Sequence, residues 1–77
     1  MAPGAVFPLH RHLGEEHVLV LQGGLVDSSG KTLRAGDEDV KHKGSEHAFT
    51  ALAGVDLVYL VVLEVGFELA GGETPEM

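Results

Sequence analysis

Two histidines separated by a single residue, His10 and His12, most constrain how this chain can fold. Side chains two positions apart lie on the same face of a β-strand, whereas on a helix they point in different directions. The segment must therefore be a strand if the two imidazoles act together. The pair alone is also compatible with an ordinary solvated strand edge.

A carboxylate follows where a short turn would return the chain. Residues 13–15 have the length of a tight turn, and Glu16 then opens a strand in which it shares a face with Val18. This alternation predicts that Glu16, rather than Glu15, points inward at the level of His12. In the alternative interpretation Glu16 is a solvated carboxylate, as we expect for Glu15.

A third imidazole comes from farther along the chain, where His47 follows turns marked by Gly36 and Gly44. Three neutral imidazole nitrogens and one carboxylate oxygen suit a divalent transition metal. The sequence therefore predicts one such ion per chain. The predicted metal ligands are His10, His12, Glu16 and His47.

The spacing of these residues resembles two consecutive motifs of the cupin proteins. The first motif matches without a gap at Gly4, His10, His12, Glu16 and Gly23, and the second matches at Gly36, Gly44 and His47. Two positions depart from the second motif, because His42 stands where proline is usual and Ala51 where asparagine is frequent. The residues within both motifs are most similar to the ChrR-type branch, the zinc-binding cupin domains of certain anti-sigma factors.

The resemblance covers about residues 4–67 and implies an all-β fold. That fold is a single small double-stranded β-helix, a cupin or jelly-roll-like β-barrel, with the same four residues as metal ligands. Eleven glycines between short β-rich segments independently favour an all-β barrel or sandwich. We expect a barrel over residues 1–69 and a disordered tail over 70–77. The predicted strands are 5–12, 16–22, 24–27, 31–34, 39–42, 47–51, 55–64 and 66–69.

Composition narrows the possible partners. The chain has 77 residues and no cysteine, so its small core needs a metal ion or self-association rather than disulfides. A net charge of −7 and scattered basic residues argue against nucleic-acid binding. The longest apolar run, Leu57 to Leu63, is far shorter than the roughly 20 residues that span a bilayer. With no signal-peptide pattern, we expect a cytoplasmic protein that does not bind membranes.

The same apolar run predicts a homodimer. Residues 57–63 are apolar on both faces of a strand, but a small barrel has only one interior. Leu19 and Leu21 also point away from the predicted metal face. A second copy of the chain would cover these side chains; the alternative is cover by Phe7 or Phe67 of the same chain.

Metal coordination separates the possible functions. Four protein ligands close a tetrahedral zinc site but leave two positions open in an octahedral manganese, iron or nickel site. We favour zinc and a non-catalytic regulatory or sensory module, because the predicted interior is mostly apolar. Its expected members include Val6, Val18, Val20 and Phe49, and the inward polar candidates are Gln22, Tyr59 and one of Asp39, Lys41 or His42.

Two other functions stay open. One is a small metal-dependent enzyme, a dioxygenase or isomerase acting on a small apolar molecule bound in the barrel. The other is a metal-free structural barrel. The sigma-binding helical domain of the similar anti-sigma factors has no counterpart in the 77 residues, so we expect at most the signal-receiving half of such a system.

Overall fold

A computed structural model of the chain describes residues 1–64 and 67–69. These residues form eight strands without a helix, so the predicted all-β fold class is confirmed. None of the described residues belongs to a helix long and apolar enough to cross a membrane. The predicted disordered tail, residues 70–77, lies outside the described residues. The strands are β1 (Val6–His12), β2 (Glu16–Gln22), β3 (Gly24–Asp27), β4 (Thr32–Arg34), β5 (Glu38–Lys41), β6 (Glu46–Ala51), β7 (Val58–Leu63) and β8 (Phe67–Leu69).

The strands form two antiparallel sheets that enclose the core. One sheet has the order β4-β3-β6-β1-β8 and the other has the order β5-β2-β7. The inward side chains of both sheets alternate with outward ones, as expected for a half-buried strand. Val18, Val20 and Phe49 are buried, as the sequence predicts. The central apolar cluster consists of Val20, Leu25, Leu33, Phe49, Ala51 and Leu57.

A β-bulge in β1 overturns one predicted core position. Phe7 pairs with Phe49 and His10 with His47, so two residues of β1 lie opposite the single Ala48 of β6. The extra residue reverses the alternation, and Phe7 therefore faces inward with His10. Its ring stacks on Phe49 with 5.2 Å between centroids. Val6, which was expected inside, is 62% exposed.

β7 begins later than the sequence predicts. Residues 55–57 are not part of the strand, and β7 starts at Val58. The reason is the environment of Leu57, whose backbone N–H donates to the carbonyl of Met1 at 2.7 Å instead of to β2. Gly23 lies against this segment with φ +72°, and a Cβ there would come within 2.9 Å of the Asp56 carbonyl oxygen. This close approach requires glycine.

The outer face of β7 is exposed within the single chain. Val58, Leu60 and Val62 are 45%, 55% and 59% exposed, whereas the inward residues of the strand are half-buried. Phe7 does not cover them, because it packs inside on Phe49. Burial on both faces, which the sequence predicts, is thus not achieved by the described part of the chain.

Candidate metal centre

Three buried histidines come together on the inner face of the five-stranded sheet. The pairing of β1 with β6 sets His10 opposite His47, and His12 follows His10 on the same face. The ring centroids of the three imidazoles are 4.4–4.9 Å apart. A ligand nitrogen from each lies within 4.8 Å of the other two. The spacing-based prediction that these three side chains meet is confirmed, and the cluster can hold a metal ion.

Each imidazole is oriented by a hydrogen bond at Nδ1. His10 Nδ1 lies 2.8 Å from the Pro8 carbonyl oxygen, and His12 Nδ1 lies 3.2 Å from both the carbonyl oxygen and the Oγ of Ser45. His47 Nδ1 lies 2.5 Å from Asp27 Oδ2. A carbonyl or an ionised carboxylate can only accept, so Nδ1 of each ring is the donor. In the neutral imidazole this leaves Nε2 as the unprotonated nitrogen that binds metals.

Two of the Nε2 atoms have the environment expected of metal ligands. Among the described residues, Nε2 of His12 and of His47 are buried without any hydrogen-bond partner. Such atoms are costly unless something else binds them. Burial also lowers the pKa of His10, and the neighbouring imidazoles of His47 and His12 add to this effect against the hydrogen bond that His10 donates to the Pro8 carbonyl. A neutral imidazole is the form that a metal requires.

Glu16 approaches this cluster from the other sheet. It is the first residue of β2, it is buried, and its Oε2 lies 3.0 Å from His12 Nε2. In the neutral imidazole with its proton on Nδ1, two electron-rich atoms face each other at this distance without a hydrogen bond. A separation of about 3 Å is also close to that of two ligands bound to one ion, each roughly 2.0–2.2 Å away from it. Glu15 lies outside, with Oε1 2.6 Å from His17 Nε2.

Asp27 is a site residue that the sequence analysis missed, because it placed this residue only at the end of the predicted strand 24–27. Asp27 ends β3, is buried, and accepts from His47 Nδ1, from the Ser29 N–H at 2.9 Å and from Lys41 Nζ at 3.1 Å. Burial alone would raise its pKa, but these hydrogen bonds hold the pKa far below its usual range. The alternation that places Leu25 inside also points Asp27 inward, and this was the available signal.

A chain of alternating charges continues from Asp27 toward the surface. Lys41 Nζ lies 3.1 Å from Asp39 Oδ2, and Lys31 Nζ lies 2.8 Å from Asp39 Oδ1. Burial would lower the pKa of Lys41, but the two carboxylates outweigh it and raise that pKa. Asp39 and Lys41 are both partly buried. The sequence analysis expected one of Asp39, Lys41 or His42 to point inward, and the structure places the first two there.

Of the other polar residues predicted to point inward, only Tyr59 is partly buried, whereas Gln22 and His42 are exposed. Tyr59 is partly buried and packs edge-on against Phe49, with 5.8 Å between ring centroids. Gln22 was expected inside but is exposed, because the register of β2 against β7 shifts after Val20 and the Gln22 amide donates to the Asp56 carbonyl. The His42 side chain is 81% exposed, which excludes it from the interior.

A cleft opens beside the histidine cluster, between β1 and β7. Its volume is about 120 Å³. The wall is mostly apolar, while His10 and Glu16 supply its polar groups. The lining residues are Phe7, His10, Glu16, Phe49, Tyr59, Val61 and Leu63.

Comparison with known proteins agrees with this fold. The model of the ChrR cupin-like domain family matches residues 1–65. No curated protein matches the sequence significantly. The fold is similar to the crystal structure of a protein with a cupin-like fold from Ralstonia eutropha JMP134, with a TM-score of 0.81 and 23% identity over 97% of this chain. This chain spans about half the length of that protein. With the matched segment containing all three clustered histidines, the chain belongs to the ChrR cupin-like domain family.

Proposed function

We propose that this chain is a non-catalytic regulatory or sensory module that binds one zinc ion through His10, His12, His47 and Glu16. One observation carries the proposal. His12 Nε2 and Glu16 Oε2 lie 3.0 Å apart, buried and without a proton between them if His12 donates from Nδ1. An ion bound to both atoms removes this unfavourable contact and satisfies the unpaired His47 Nε2 as well.

The four proposed ligands come from both sheets, which supports a sensory role. The histidines belong to β1 and β6 of the five-stranded sheet, and Glu16 belongs to β2 of the three-stranded sheet. An ion bound to all four would therefore link the two sheets. Because the free energy of metal binding is then also free energy of folding, loss of the ion would loosen the whole barrel. This is how a change at a buried site would reach a partner at the surface.

Zinc is proposed because of the ligand set. Three imidazole nitrogens and one carboxylate oxygen complete a tetrahedral zinc site, which leaves no coordination position for a substrate. The family to which the chain belongs also supports a regulatory rather than a catalytic role, as the resemblance to the zinc-binding domains of anti-sigma factors implies.

The test compares an inward carboxylate with an outward one on the neighbouring strand. We expect protein purified without chelator or nickel resin to contain about one zinc per chain by elemental analysis, and chelator to lower its melting temperature. Glu16→Gln should lose most of the metal and most of the chelator effect, because an amide is a poor zinc ligand. Glu38→Gln, the control on the outer face of β5, removes an exposed carboxylate and should behave as wild type. Equal zinc content in both variants would reject Glu16 as a ligand.

The cleft beside His10 and Glu16 favours a second candidate, a small metal-dependent enzyme. The cleft has an apolar wall and a volume of about 120 Å³. Benzene binds in an engineered protein cavity of roughly 150 Å³, so the cleft suits a molecule slightly smaller than benzene. Iron, manganese or nickel in place of zinc would leave coordination positions open for such a molecule. Oxygen consumption by the iron or manganese form with small apolar compounds would favour the enzyme over the sensor.

We also propose that the chain forms a homodimer through the outer face of β7. The exposed apolar side chains of Val58, Leu60 and Val62 support this proposal, since a solvent-exposed apolar patch is often an interaction surface. Leu21 is 54% exposed on the neighbouring strand and extends the same apolar face.

A further inference from the structure

Three side chains that commonly bind metals meet on the outer face of the three-stranded sheet, away from the buried histidines. Glu15 and His17 are two residues apart, so both point outward at the start of β2. His17 lies opposite Val40 in the pairing of β2 with β5. Two residues farther along, His42 therefore lies beside Glu15. We call Glu15, His17 and His42 the outer trio.

In the outer trio, each carboxylate oxygen of Glu15 faces a different imidazole. Glu15 Oε1 lies 2.6 Å from His17 Nε2, and Glu15 Oε2 lies 3.8 Å from His42 Nδ1. The side chains of His17, Glu15 and His42 are 56%, 40% and 81% exposed. All three are thus open to an ion from solvent. Binding of one ion by all three would require the exposed His17 and His42 side chains to rotate toward it.

We propose that the outer trio is a second site for a divalent transition metal, zinc or copper(II). Two imidazole nitrogens and one carboxylate oxygen form a donor set that both ions accept. The ion would replace the direct contact between His17 and Glu15, and water would complete its coordination. The chain's net charge of −7 also favours the approach of a cation.

The outer site binds its ion more weakly than the buried site. Its ligands are exposed, so binding must order three mobile side chains, and the ion stays in contact with water. Occupancy of the outer site therefore responds to a higher concentration of free metal. Glu15 and His17 flank Glu16 in sequence, so an ion at the outer trio restrains the strand that carries the proposed buried ligand.

The experiment is a calorimetric titration of protein that already contains one equivalent of zinc. We expect wild type to bind a second equivalent of zinc, and His17→Ala and His42→Ala each to lose it while they retain the first. Glu38→Gln is the matched control, because it removes an exposed carboxylate from the same outer face without touching the outer trio. This control should bind both equivalents, and all variants should keep the wild-type melting temperature.

A second measurement locates the ion directly. Added copper(II) should broaden the imidazole NMR signals of His17 and His42 in zinc-loaded protein before those of the buried histidines. The proposal is overturned if wild type binds no second equivalent, or if the alanine variants bind it as wild type does. Loss of only the first equivalent in Glu16→Gln would concern the buried site and leave the outer trio unaffected.

Discussion

At the scale of single residues, the chemistry of the buried site depends on which nitrogen of each histidine carries the proton. Pro8, Ser45 and Asp27 supply the acceptors that hold the protons on Nδ1. Two of these acceptors are backbone carbonyls, Pro8 within β1 and Ser45 just before β6, and the third is a buried carboxylate from β3. Asp27 differs because its negative charge also makes His47 a stronger electron donor toward a metal.

This role of Asp27 predicts that Asp27→Asn weakens metal binding without removing a ligand. We expect the zinc affinity to fall by about 10–100-fold, which is the usual effect of losing a carboxylate that orients a metal-bound histidine. Competition with a chromophoric chelator measures the affinity. Asp56→Asn changes an exposed carboxylate far from the histidines and should have no effect. An unchanged affinity in Asp27→Asn would show that the negative charge of Asp27 does not strengthen metal binding.

At the scale of strands, β1 shows how one irregularity relocates several side chains. Pro8 has no N–H to donate and lies within the bulge between Phe7 and His10, where an unpaired position suits proline. The bulge lets Phe7 pack on Phe49 and His10 face the metal centre from the same side of the strand. A regular β1 with His10 inside would have placed Val6 there and left Phe7 in solvent.

Asp39 connects strand segments of both sheets through its ion pairs. These contacts predict that the stability of the fold depends on pH. Its carboxylate on β5 bonds Lys31, just before β4, and Lys41. Burial alone would raise the pKa of Asp39, but the two lysines lower it below the usual value of 3.8. A lowered folded-state pKa stabilises the fold at any pH above about 4, and this stabilisation disappears as the pH falls through the folded-state pKa.

We therefore expect Asp39→Asn to lower the free energy of unfolding by about 1 kcal/mol at pH 7, with partly exposed Lys31 limiting the effect. The difference from wild type should shrink as the pH falls below about 4. Urea unfolding with excess chelator measures it without the pH dependence of metal binding. Glu38→Gln, the adjacent exposed control, should show no such pattern. A difference that stays constant down to pH 2 would contradict the assignment.

At the scale of the whole molecule, the two faces of the three-stranded sheet have different uses. The inner face carries Glu16 and the core residues Val18 and Val20. The outer face carries the outer trio at one end and the exposed apolar residues of β7 beside it. A barrel of 77 residues has a small core, so both metal binding and association would contribute noticeably to its stability.

The proposed dimer predicts that Leu60→Glu gives a monomer. A charge at the centre of the exposed face of β7 would have to be buried without a partner in the dimer, which is costly. Sedimentation equilibrium should show wild type as a dimer and the variant as a monomer with an unchanged zinc content. Lys43→Glu makes a charge change on an exposed turn and serves as the control. A monomeric wild type would reject the dimer.

Local spacing determined the approximate strands and the common face of His10 and His12, and the resemblance to the cupin motifs added His47. His10 and His12 share a face because alternation in a strand has a period of two, and glycines mark the turns that return His47 to them. These are properties of short segments, so the sequence could reveal them without knowledge of the sheet order.

Only the tertiary structure decided which distant side chains complete the site. Asp27 reaches His47 because β3 pairs with β6, and His42 reaches Glu15 because β5 pairs with β2. The bulge in β1 likewise depends on the register against β6. Each of these results follows from pairing between strands that are not consecutive, and no local pattern in the chain determines such a register.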